Sequence, residues 1–146
     1  MNSRSIARIS VSGVALAAVA VVIGAQDRGH TVKSLPPVVV KTVPQSGDTA
    51  VDASKVTEVR VTFSKEMADG NWSWVDLSAD TKLPIDGKPM YEKDRRTCVV
   101  KVKLEPGKTY AAWLNSEKFK NFRDGDGNAG VPYLLVFETK PASAAK

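Results

Sequence analysis

Apolar and polar side chains alternate in two segments of the chain, residues 57–64 and 97–104, and this pattern constrains the fold more than any other feature of the sequence. Successive side chains of a β-strand point to opposite faces, so the alternation predicts a strand with one buried face. The side chains predicted to point inward are Thr57, Val59, Val61 and Phe63 in the first segment and Cys98, Val100, Val102 and Leu104 in the second.

Further short segments have the β-branched and aromatic composition of strands, with turn-forming residues between them. They are residues 38–43, 71–77, 110–114 and 132–139. Between residues 78 and 95, Pro84 and Pro89 interrupt any regular run, which predicts a loop-rich crossover with a short edge strand at 88–91. No segment has a convincing helical period. The pattern predicts an all-β chain, an immunoglobulin-like Greek-key β-sandwich of about seven strands.

A tight turn precedes the predicted strand 110–114. Pro106 presets the φ angle that a turn needs, and Gly107 can take the positive φ that a type II turn requires at the next position. In Greek-key sandwiches a tyrosine at this corner hydrogen-bonds through its hydroxyl to the backbone just upstream. Tyr110 is the candidate, so Pro106, Gly107 and Tyr110 are predicted to form a structural clamp.

The first residues of the chain have the order of a secretory signal peptide. Arg4 and Arg8 precede an uncharged apolar run at residues 9–23, and small residues follow it. The run is shorter than the roughly 20 residues that span a bilayer comfortably, so cleavage after Ala25 is favoured and membrane attachment is expected only through an uncleaved signal. The expected divisions are a signal peptide at 1–25, a flexible linker at 26–35, an Ig-like domain at 36–140 and a disordered tail at 141–146.

The net charge bears on which partners are expected, and the cysteine content bears on whether a disulfide can stabilise the domain. The chain has 21 basic and 16 acidic residues, a formal net charge of +5, and cleavage after Ala25 removes two arginines. In an exported protein this mild surplus predicts no nucleic-acid partner. Cys98 is the single cysteine, so no internal disulfide can form, and its place on the apolar side of a strand predicts an inert buried thiol.

Five motifs occur along the chain in an order that resembles a known family. They are Pro36-Pro37-Val38 leading to residues 42–47, Val56 with residues 59–67, the turn 104–110, the loop 124–128 and the closing Phe137-Glu138-Thr139. Over residues 36–140 the chain resembles the bacterial Ig-like (SbsA-type) domain family, whose modules are associated with S-layer and other cell-surface or secreted bacterial proteins. The resemblance implies a Greek-key sandwich acting as a spacer, adhesion or assembly module, without catalytic residues.

The loop 124–128 places oxygen-bearing side chains at alternate positions, as a calcium-binding loop does. These are Asp124, Asp126 and Asn128. An EF-hand loop starting at Asp124 would need a bidentate glutamate at its twelfth position, where this chain has Leu135, so an EF-hand is excluded. Two alternatives stay open: a partial calcium site, or a glycine-rich turn whose aspartates bond their own backbone.

Trp72 and Trp74 are two positions apart and are therefore predicted to share one face of the third strand. Exposed tryptophans could form a binding platform for sugar rings or a partner protein. Ig-like sandwiches also use a tryptophan of this strand as core filling, so at least one of the two is expected to be buried.

Catalytic machinery is not recognisable in the sequence. The only histidine, His30, precedes the predicted domain, so no Ser/His or Cys/His pair is available within it. Periplasmic copper-carrier sandwiches open with a similar turn and bind copper through histidines, but one histidine with Met67 and Met90 is a poor ligand set. We expect an exported module at the cell envelope that is no enzyme, needs no cofactor and binds a protein or polysaccharide. The alternative is a calcium-dependent or carbohydrate-binding accessory module.

Overall fold

A computed structural model describes residues 29–143 of the chain and contains seven β-strands and no helix within that range. The strands are β1 (Val39–Val43), β2 (Glu58–Phe63), β3 (Trp74–Asp76), β4 (Ile85–Tyr91), β5 (Thr97–Val102), β6 (Thr109–Leu114) and β7 (Tyr133–Glu138). The predicted signal peptide at 1–25 and the last three residues of the predicted tail lie outside the described residues.

The strands form two antiparallel sheets, one in the order β1-β2-β5-β4 and the other in the order β3-β6-β7. With the strands lettered A to G, these are the ABED and CFG sheets of a constant-type immunoglobulin domain. The prediction of an all-β, immunoglobulin-like Greek-key sandwich is therefore confirmed.

The core lies between the sheets and is built from the alternate positions of the strands. Val59, Val61 and Phe63 of β2 are at most 1% exposed, and side chains of β5, β6 and β7 face them. Burial of each large apolar side chain contributes about 1.5–3 kcal/mol. The predicted inward position of Thr57 is wrong: it precedes the first residue of β2 and is exposed, while its carbonyl accepts the Val102 N–H.

Two elements differ in length from their predictions. β3 covers Trp74–Asp76 instead of 71–77, because its pairing with β6 extends only from Trp74 opposite Leu114 to Asp76 opposite Ala112, and Asn115 after β6 has a left-handed φ of 61°. β4 starts at Ile85 instead of residue 88, and its register with β5 shifts between Asp86 and Met90. As an edge strand it can carry Pro89, because the missing N–H is not required by a second neighbour.

Candidate functional site

A surface groove of about 260 Å3 runs along β3 and is lined by three aromatic side chains. We call it the aromatic groove; its lining residues are Trp72, Ser73, Trp74, Val75, Asp76, Phe119 and Asn121. Because β3 pairs with β6 alone, its other edge is free within the described sheet. The groove therefore combines aromatic side chains with an unpaired strand edge.

Both tryptophans of the groove are half-buried, so each packs against the core and also contributes to the surface. Trp72 and Trp74 pack against the core cluster around Phe122, and the rings of Trp74 and Phe122 meet edge to face with centroids 6.0 Å apart. Both indole N–H groups are buried and make no regular hydrogen bond among the described residues, but that of Trp74 lies near the Cys98 sulfur and lowers the pKa of that thiol against the larger effect of burial. An unpartnered buried donor costs about 1–3 kcal/mol. The part of each indole that faces solvent consists of carbon.

The loop after β6 supplies the opposite wall of the groove. Phe119 is 54% exposed and sits in a turn closed by two bonds to Ser116, one of them from the Ser116 N–H to the Phe119 carbonyl at 2.7 Å. Asn121 is held by two hydrogen bonds. Its backbone N–H donates to the Ser73 hydroxyl at 2.9 Å, and its side-chain amide donates to the Trp72 carbonyl at 3.4 Å. Sequence reasoning missed Phe119, Asn121 and Asp76 as groove residues, since a loop conformation brings the first two to β3.

Asn115 holds this loop in place and was also missed. It is 1% exposed and has a φ of 61°. Its side chain accepts the Phe122 N–H and donates to the carbonyls of Phe122 and Gly130, each at 2.9 Å. The one sequence signal that could have identified Asn115 is that asparagine tolerates left-handed backbone better than most residues do.

The loop 124–128 is organised around the buried carboxylate of Asp124, which is 3% exposed. One carboxylate oxygen accepts the backbone N–H groups of Asp126 and Asn128 at 3.0 and 2.8 Å. The other accepts the Asn128 side-chain amide at 2.9 Å and lies 2.5 Å from Lys65 Nζ. Asp126 itself is exposed. Within residues 29–143, no group of three or more His, Cys, Asp or Glu side chains is placed to hold a metal ion.

Lys65 connects this loop to the segment before β1. Its ammonium group donates to the carbonyls of Lys33 and Leu35 at 2.8 and 2.6 Å as well as to Asp124. Burial alone would raise the pKa of Asp124, but the Lys65 ammonium and the Asn128 donors outweigh it and keep that pKa below the ordinary value. The described end of the predicted linker is thereby bonded to the domain, and residues 31–35 form a turn of their own.

The turn before β6 makes the hydrogen bond that defines a tyrosine corner. Tyr110 is 6% exposed, and its hydroxyl oxygen accepts the Glu105 N–H at 2.8 Å. Gly107 has a φ of 69°, in the region that glycine adopts without strain, and Pro106 is exposed beside it. Thr139 ties the turn to the end of β7, because its hydroxyl donates to the Glu105 carbonyl at 2.7 Å and accepts the Lys108 N–H.

The remaining reactive groups are placed for packing. Cys98 is fully buried, and burial raises the pKa of its thiol to about 12, so it stays protonated at neutral pH. His30 is exposed, Met67 is in the core, and Met90 is exposed on the outer face of β4. No helix among the described residues is long and apolar enough to cross a membrane.

Comparison with known proteins gives one family and a group of similar folds. The sequence model of the family described as bacterial Ig-like domain matches residues 33–139. No curated protein matches the sequence.

Three solved structures share the fold. The S-layer protein rSbsC is 21% identical with a TM-score of 0.50, over 78% of this chain and 15% of that chain. Domains 1–6 of the surface layer protein SbsC are 22% identical with a TM-score of 0.50, over 77% of this chain and 15% of that chain. CopC from Methylosinus trichosporium OB3b is 18% identical with a TM-score of 0.55, over 75% of this chain and 99% of that chain. The chain thus spans a small part of each S-layer structure, and at these identities the likeness concerns the fold alone.

Proposed function

Because the chain belongs to the bacterial Ig-like domain family, we propose that it is an exported, non-catalytic module that binds a protein or polysaccharide of the cell envelope. The order of basic, apolar and small residues at its start supports export. A fold of this kind hosts many functions, so binding depends on a site that the fold carries.

The observation that carries the proposal is the aromatic groove on a stiff frame. Trp72, Trp74 and Phe119 present apolar ring surface at the free edge of β3. Half-exposed aromatic side chains fixed by packing are typical anchors of binding sites. Asn115 and the tyrosine corner restrict the loop and the sheets on which the groove depends, so little ordering is needed when a partner binds.

The chemistry of the described residues favours binding over catalysis. A nucleophile needs a base within hydrogen-bond reach, and the buried thiol of Cys98 has its pKa raised by burial. The hydroxyl of the partly buried Tyr91 is also desolvated, which raises its pKa. Neither group is activated for attack at neutral pH.

Co-sedimentation with washed envelopes tests the proposal. The chain without residues 1–25 is mixed with the envelope fraction of the source cells, and bound protein is measured in the pellet. We expect the wild type to pellet with envelopes, Phe119→Ala to do so less, and Met90→Ala to match the wild type. Met90 is a suitable control because it is 59% exposed, close to the 54% of Phe119, and lies on the other sheet. Wild-type protein that stays in the supernatant contradicts the proposal.

A further inference from the structure

Building on this proposed function, we propose that the aromatic groove binds a sugar ring of a neutral envelope polysaccharide. The groove combines carbon-only indole surface, a side-chain amide and one carboxylate in a hollow of about 260 Å3. Each of these features favours one class of envelope ligand over others.

The tryptophans offer the groove carbon surface and no hydrogen-bonding group. A tryptophan at a polar surface usually keeps its N–H in water or on an acceptor. Here both indole N–H groups are buried without a regular hydrogen bond among the described residues, that of Trp74 near the sulfur of Cys98, and this arrangement keeps them out of the groove. Its effect is to present indole carbon to the groove. The C–H face of a pyranose ring matches such a surface, because it is apolar and flat while its hydroxyl groups project from the rim.

The size of the groove fits one ring. Pockets for drug-sized ligands have volumes of about 300–1,000 Å3, and the groove lies just below that range. With Phe119 against one side, the groove is of a size for a small ligand such as one sugar ring.

The charge of the groove favours a neutral ligand. Of the described residues that line it, Asp76 alone is charged, and its carboxylate lies 3.2 Å from Lys82 Nζ. The groove lining therefore offers an acidic polymer no cation of its own, and the exposed Lys120, between Phe119 and Asn121 in the sequence, is not among the lining residues. Asp76 and Asn121 instead supply oxygen acceptors and an amide donor, the groups that bind hydroxyls.

A second hollow extends the surface to a polymer. It has a volume of about 470 Å3 and is lined by Trp113, Ser116, Glu117, Lys118 and Pro132. Val75 of the groove is the cross-strand partner of Trp113, and the loop that carries Phe119 also carries residues 116–118. The two hollows thus lie side by side, beside the paired residues of β3 and β6 and the loop that follows β6. Glu117 and Lys118 have opposite charges, so this second position is also suited to a neutral chain.

The decisive experiment uses envelopes treated in two ways before co-sedimentation. Periodate cleaves the vicinal diols of sugar rings, whereas protease removes envelope protein. We expect periodate to abolish binding and protease to leave it unchanged. Binding that survives periodate and is lost after protease would overturn the sugar assignment while leaving the proposed function intact. Absence of binding to untreated envelopes would instead overturn the proposed function.

A titration then tests the groove and its charge. Polysaccharide extracted with hot aqueous phenol from protease-treated envelopes is separated by anion exchange into neutral and acidic fractions, and each is added while tryptophan fluorescence is recorded. We expect the neutral fraction to change the fluorescence of the wild type. Phe119→Ala and Asn121→Ala should bind at least tenfold more weakly, and Met90→Ala should bind as the wild type does. A response to the acidic fraction alone, or equal binding by all variants, refutes the assignment. Urea midpoints establish that each variant is folded.

Discussion

Replacing Tyr110 by phenylalanine removes a single oxygen atom from the tyrosine corner. That oxygen accepts the Glu105 N–H at 2.8 Å, while the ring remains packed on Phe137 with centroids 5.6 Å apart. One internal hydrogen bond contributes about 0.5–1.5 kcal/mol net. Because Glu105 is exposed, water can take over its N–H after a small movement of the turn, so the full penalty of a stranded buried donor does not apply. We expect a loss of about 1 kcal/mol.

Tyr91→Phe is the matched control. The Tyr91 hydroxyl is buried and has no hydrogen-bond partner among the described residues, so its removal relieves a desolvated group without breaking a bond. We expect Tyr91→Phe to be neutral or slightly stabilising. Both substitutions delete the same atom from a tyrosine of the sandwich, and they differ in whether that atom is bonded.

Urea unfolding followed by tryptophan fluorescence measures both effects. With an unchanged m-value, the midpoint of Tyr110→Phe should fall and that of Tyr91→Phe should not. For a domain of about 100 residues, 1 kcal/mol corresponds to about 4–8 °C in the melting temperature. An unchanged midpoint for Tyr110→Phe, or an equal loss in both variants, would refute the argument.

Four other predictions concern the loop 124–128 and the loop that follows β6. Lys65→Met should destabilise the domain by about 3 kcal/mol, because it leaves the buried Asp124 carboxylate without its cation; chemical denaturation measures the loss, and a change below 1 kcal/mol contradicts it. The folded-state pKa of Asp124 lies below the ordinary 3.8. The ionised carboxylate therefore contributes its full share to the free energy of unfolding above pH 3.8, and this share is lost as the pH falls through the lowered pKa. Melting temperatures at decreasing pH should therefore drop less steeply for Asp124→Asn than for the wild type. Asn115→Ala should cost about 3 kcal/mol or more, because three side-chain hydrogen bonds are lost in a buried site; an unfolding midpoint close to that of the wild type argues against this. Millimolar calcium should leave the wild-type melting temperature unchanged, because both oxygens of Asp124 already accept hydrogen bonds, and a clear rise on adding calcium shows the opposite.

Local physics explains why much of the fold could be predicted. The alternation of β2 and β5 follows from the geometry of one strand, so the buried set from Val59 to Phe63 can be found without knowing its neighbours. Gly107 and Tyr110 belong to one short turn, whose backbone requirements depend on a few adjacent residues. The predicted limits of β3 and β4 were less accurate, because the residues at which these strands begin and end depend on pairing with other parts of the chain.

The sequence by itself determined that the chain forms short amphipathic strands with a clamped corner, because side-chain period and turn chemistry act over a few residues. The tertiary structure alone decided which side chains meet. The Greek-key crossing places Trp72 beside Asn121, and Lys65 beside Asp124, although each pair is far apart along the chain. The same packing turned the indole N–H groups of Trp72 and Trp74 inward and left their carbon surface in a groove. Such orientations result from contacts between distant segments, and no local pattern of residues encodes them.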